Sequence, residues 1–162
     1  MIKKLITTAV LLALAVGTPA NAAFRVLATT ADWGSLVREL GGDKVDVYVA
    51  STAFQDVHRV DAKPSLIARA RNAGLIVATG AELEIGWLPV LLQESGNARV
   101  QPGSSGYFEA ARQLRLLEAP ARVDRSMGDV HPDGNPHVQL DPRNIAAIAR
   151  ALSARLASVD AT

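Results

Sequence analysis

"LIVATG", residues 75–80, is a short, nearly uninterrupted apolar run that stops at a glycine. A strand with one wet face alternates apolar and polar residues. A run without alternation marks a strand buried on both faces, as in a parallel sheet covered by helices. The flanking segments agree with that reading. "FRVLATT" at 24–30 and "KVDVYVAS" at 44–51 are two further short β-prone runs. Between them Trp33, Leu36, Val37 and Leu40 recur at helical spacing, and Gly41-Gly42 supplies a stop. "KPSLIARARNAG" at 63–74 opens on Pro64, a good first-turn residue, and carries Leu66, Ile67 and Ala70 as an apolar face.

Downstream, "AELEIGWLPVLLQESG" at 81–96 predicts a third helix that bears Glu82, Glu84 and Trp87 and is kinked or split by Pro89. "ARVQPG" at 98–103 is the expected fourth strand. Residues 103–134 read mostly as loop, with "YFEAARQLRLLEAP" at 107–120 a candidate short helix. The last helix is clearer. Asp141 is a natural N-cap and Pro142 a natural first residue, and Ile145, Ile148, Leu152, Leu156 and Val159 form one stripe. Strand–helix alternation predicts an α/β fold, a small parallel sheet flanked by helices. Ligands of such sheets bind beyond the carboxyl ends of the strands.

With 17 basic and 16 acidic residues, the chain gives no reason to expect a nucleic-acid partner. It has no cysteine, so disulfides and thiolate zinc sites are excluded, and any metal must be held by histidine and carboxylate. Residues 1–22 have the layout of a secretory signal: Lys3 and Lys4, an apolar run at 5–16, Gly17 and Pro19, then Ala20-Asn21-Ala22. The expectation is export to the periplasm with cleavage near Ala22. The apolar run falls short of a membrane span, no span is expected in the mature chain, and no cysteine follows the run to carry a lipid anchor.

Three histidines are the candidate chemistry. His58 lies in "FQDVHRV", after the second expected strand. His131 and His137 lie six residues apart in "GDVHPDGNPHVQLDPRNI" at 128–145. Pro132, Pro136 and the Gly134-Asn135 turn stiffen that loop. A preset imidazole loses less freedom when a metal arrives. The same residues also read as a merely polar, rigid loop. A metal-dependent hydrolase is the least supported alternative, because neither a G-x-S-x-G elbow nor an H-E-x-x-H pair is present.

"DVHRVDAKPSLIARARNAGLIVATGAELEIGWLP" at 56–89, followed by "GNPHVQLDPRNI" at 134–145, resembles the zinc- and manganese-binding solute receptors of bacterial ABC importers, the cluster-nine or TroA-like family. The resemblance covers nearly all of 24–160. It implies a non-catalytic receptor that captures Zn2+, or alternatively Mn2+, and delivers it to a membrane permease. By position it implies His58 and His137 as metal ligands. For Glu82, Glu84 and Trp87 the structural reading is preferred. It also implies an amino-terminal lobe at 23–141 and a connecting helix at 142–162. The chain departs from the family pattern at Gln139, where a Trp is common, and at the additional His131, an accessory ligand, part of a metal-capture loop or a plain loop residue, the last being the preferred reading. Family members continue into a second lobe that supplies two more ligands. The expectation is therefore a truncated or split receptor, with the second lobe absent or separately encoded. An interaction or adhesin-like module is the alternative, because the stripe at 148–156 would lack half its partner.

Overall fold

The computed structural model describes residues 22–124, 126 and 130–160; apart from Ala22, the expected export signal lies outside the described residues. Four strands form one sheet: β1 (Phe24–Ala28), β2 (Val45–Val49), β3 (Leu75–Ala78) and β4 (Tyr107–Glu109). The order is β2-β1-β3-β4 and every pairing is parallel. β3 is interior, and all four of its residues are fully buried. Its lack of alternation follows from this. Val77 faces one core and Ile76 the other, so both faces demand apolar side chains.

One face is covered by α1 (Ala31–Gly41) and α4 (Pro142–Asp160). Val26, Trp33, Val37, Val77, Ile148 and Leu152 meet there. The other face is covered by α2 (Pro64–Arg71) and α3 (Leu88–Ser95), where Leu27, Leu66, Ile76, Trp87 and Leu91 meet. α4 begins as expected: the Asp141 carboxylate accepts the backbone N–H of Arg143 at 2.8 Å, the bond an N-cap makes.

Three expectations are corrected. Residues 98–103 do not form a strand, because Asn97 caps a 3-10 turn at Ala98–Val100 and ties it to α2 through bonds to the Ala70 and Ala73 carbonyls. The fourth strand lies instead at Tyr107–Glu109, inside the stretch read as loop or helix, paired to β3 with Ile76 opposite Tyr107. The third helix is shorter than expected. It spans Leu88–Ser95 with Pro89 in its first turn, while residues 81–87, with Glu82 and Glu84, form turns. Finally, the α4 stripe is not left open. Ile148 and Leu152 are fully buried, and Leu156 and Val159 nearly so, in the protein's own core. The surface on which an interaction module would depend is therefore already used.

Candidate metal centre

Because every strand is parallel, the loops that leave them emerge on one edge. The chain passes from β1 outward to β2 and back across to β3, so the crevice where connections diverge lies between the ends of β1 and β3. The Glu84 side chain fills it. Glu84 Oε1 accepts from the Thr29 hydroxyl at 2.6 Å and from the Thr79 N–H at 2.8 Å, and Oε2 accepts from the Gly80 N–H at 3.1 Å. The Trp33 indole N–H closes the same pocket on the Thr79 hydroxyl at 2.8 Å. Residues 80, 81 and 82 all have positive φ, at 81°, 51° and 61°. Ala81 and Glu82 pay for this with a conformation that costs about 1–2 kcal/mol per residue. The bonds of Glu84 are what hold the turn in that shape.

His58 sits after β2 in a 3-10 turn, Val57–Arg59. Asp56 caps the turn through the His58 backbone N–H at 3.0 Å and also accepts from the ring Nδ1 at 2.8 Å. The ring bond, and after it the backbone bond, holds the Asp56 carboxyl below the usual carboxylate range. The turn rests on the segment that follows β3. Trp87 is buried, as expected of a packed aromatic, and its indole N–H donates to the Val57 carbonyl at 2.7 Å. Gly86 lies so close that a Cβ there would stand 2.8 Å from the His58 carbonyl oxygen. Gly86→Ala is expected to displace His58 while leaving the core intact. Zinc affinity, read by calorimetric titration, should fall about as much as loss of an outer-sphere partner costs, 10- to 100-fold.

His131 comes from the loop between β4 and α4, and its Nδ1 lies 3.0 Å from the Ala81 carbonyl oxygen, in the left-handed turn held by Glu84. The loop is braced elsewhere. Asn135 N–H donates to the Leu117 carbonyl at 2.8 Å, and the Asn135 side chain donates to Glu118 at 2.8 Å. Gly134 has φ of 118°, and a Cβ there would meet the Leu117 carbonyl oxygen at 2.6 Å, so only glycine suits this position. The Asn135 side-chain oxygen then accepts the His137 backbone N–H at 2.9 Å. His137 is exposed, and its ring makes no hydrogen bond among the described residues. Gln139 is half-buried, and its amide oxygen has no protein partner among the described residues.

The structure brings His58 and His131 together, with their Nε2 atoms 3.4 Å apart, ring centroids 5.5 Å apart and planes 30° from parallel. Each Nδ1 faces an acceptor, a carboxylate for His58 and a carbonyl for His131. Each neutral ring therefore carries its proton on Nδ1, and both Nε2 atoms present bare lone pairs to each other. A metal ion, or a proton on one Nε2, relieves that opposition. All three histidines line one cavity of about 320 Å³, with Glu118, Asn135 and Pro136. No group of three or more His, Asp or Glu side chains poised to hold a metal occurs among the described residues. A larger cavity of about 580 Å³ lies on the other side of the 80–82 turn, lined by Glu109 and Arg112 among others, and no imidazole reaches it. The 80–88 segment, which carries Ala81, Glu84, Gly86 and Trp87, is the part of the site that helical periodicity hid. Its sequence signal was a glutamate and a tryptophan just after a buried strand.

Residues 26–162 match the family described as ZnuA, the periplasmic component A of a zinc-uptake complex. The chain belongs to that family. ZnuA-family proteins are periplasmic divalent-metal receptors of ABC importers, with no catalytic step. The manganese ABC transporter substrate-binding lipoprotein PsaA of Streptococcus mitis is 22% identical over 139 residues, which is 84% of this chain and 42% of that protein. The fold agrees with solved structures. A crystal structure of ZnuA superposes with a TM-score of 0.65 at 23% identity, over 85% of this chain and 48% of that one. Zinc-bound AdcA from Streptococcus pneumoniae gives 0.64 at 19% identity, over 85% and 26%. A manganese-bound periplasmic metal binding protein from Candidatus Liberibacter asiaticus gives 0.60 at 22%, over 83% and 47%. The chain thus spans about half or less of the length of these relatives, and the four-stranded sheet with its long last helix corresponds to half of the ZnuA fold. Among the described residues no helix is long and apolar enough to cross a membrane.

Proposed function

We propose that this chain is the amino-terminal, ligand-bearing lobe of a receptor that captures zinc, with manganese as second choice, for a membrane permease of an ABC importer. In this reading residues 1–22 direct export, 23–141 form the lobe, and 142–162 begin the connecting helix. His58 and His137 are metal ligands, with His131 beside them. The observation that carries the reading is the convergence of three imidazoles from two different loops on one cavity at the carboxyl edge of the sheet. Neutral imidazole favours zinc over the harder manganese ion, which prefers oxygen. A closed zinc site takes four ligands. The described residues offer imidazoles and no complete set, so the remaining ligands are assigned to a second lobe.

Calorimetric titration of zinc into the tag-free protein tests this. Binding is expected, and Asp56→Ala should weaken it about 10- to 100-fold, because the carboxylate that orients His58 is an outer partner of the kind whose loss has that effect. Zinc binding that is absent, or unchanged in Asp56→Ala, would remove the assignment.

A further inference from the structure

We infer that His131 is a metal ligand in its own right, and that it and His58 are the two imidazoles of this lobe that first grip the ion. The inference rests on the metal-receptor reading above and deepens it. Two zinc-bound imidazole nitrogens at 2.0–2.1 Å and the tetrahedral angle lie about 3.3–3.4 Å apart. The Nε2 atoms of His58 and His131 are 3.4 Å apart already. Their separation is already the one that two imidazoles sharing an ion require. Each ring is also backed as a zinc ligand should be, with its other nitrogen bonded outward, to Asp56 for His58 and to the Ala81 carbonyl for His131. Those outer bonds fix the tautomer that leaves Nε2 free. His137 has no such backing. Its ring lies exposed at the same cavity without a hydrogen bond among the described residues, so it has to be ordered by the ion, whereas the other two are ordered beforehand. Preorganisation thus favours the pair His58 and His131 for the first contact.

The experiment is nitrogen–cadmium NMR on the full chain, with ring-labelled histidine and NMR-active cadmium as the closed-shell stand-in for zinc, added below one equivalent. Direct coupling of the metal to Nε2 of both His58 and His131 is expected, with or without coupling to His137. His131→Ala should lose that coupling and weaken zinc by at least the 10- to 100-fold that an outer partner is worth. His131→Gln keeps a polar side chain on the loop; an equal loss there excludes a purely steric effect. Coupling to His58 and His137 alone would overturn the inference and leave the receptor reading intact. Coupling to no histidine would overturn both. Circular dichroism of each variant, matching that of the parent, ties the loss to the ligand.

Discussion

Glu84→Ala is expected to destabilise the protein by roughly 3–9 kcal/mol, since it strands three buried donors at about 1–3 kcal/mol each. The Thr29 hydroxyl and the Thr79 and Gly80 N–H groups all donate to this carboxylate, in a crevice where Glu84 itself is only 3% exposed. Native stability is typically about 5–15 kcal/mol, so a loss at the upper end would leave little folded protein. Glu84→Gln separates the contributions. Its amide oxygen can still serve Thr29 and Thr79, but its NH2 group then confronts the Gly80 N–H, so an intermediate loss is expected. Urea denaturation of the three proteins reads the series. A loss in Glu84→Ala below about 1 kcal/mol, the net value of one ordinary hydrogen bond, would contradict the role given to this carboxylate. The variant should also weaken metal binding, because the turn it holds presents the Ala81 carbonyl to His131.

His58→Ala is expected to lower zinc affinity by more than about 100-fold, beyond what losing an outer partner costs. His58 is the ring common to both pairings, with His131 by contact and with His137 in the proposed ligand set. Removing it therefore cannot be offset by the remaining histidines, which share one loop. Stability should change by no more than about 1 kcal/mol, since the side chain is 24% exposed and outside both cores. Competition against a chromophoric zinc chelator measures the affinity, and thermal unfolding without metal measures the stability. Affinity in His58→Ala within threefold of the parent, well short of the roughly 10-fold minimum for even an outer partner, would dismiss His58 as a ligand.

Much of the fold was legible because apolar periodicity records burial. β1, β3, α1 and α4 fall where the patterns at 24–30, 75–80, 33–40 and 145–159 put them. β4 was not legible because it is three residues long, too short for alternation to register, and only Phe108 of the three is buried. The turn at 81–87 was misread because Leu83, Trp87 and Leu88 are all buried at helix-like spacing. What prevents the helix is the left-handed backbone at Ala81 and Glu82, which residue type does not announce. The histidines themselves were visible, but the approach of His58 to His131 was not. It joins residues 73 apart and depends on a backbone carbonyl, a group every residue carries.

The filled crevice bears on where a ligand of this fold can sit. A parallel α/β sheet offers its natural docking slot where the connections diverge, and here an internal carboxylate occupies that slot permanently. The Thr29, Thr79 and Gly80 donors that could greet an anion there are already taken by Glu84. A cation at the outer loops meets a core that is already sealed. On the proposed function, metal held at the histidine loops would sit outside both apolar cores, since none of the three histidines belongs to either.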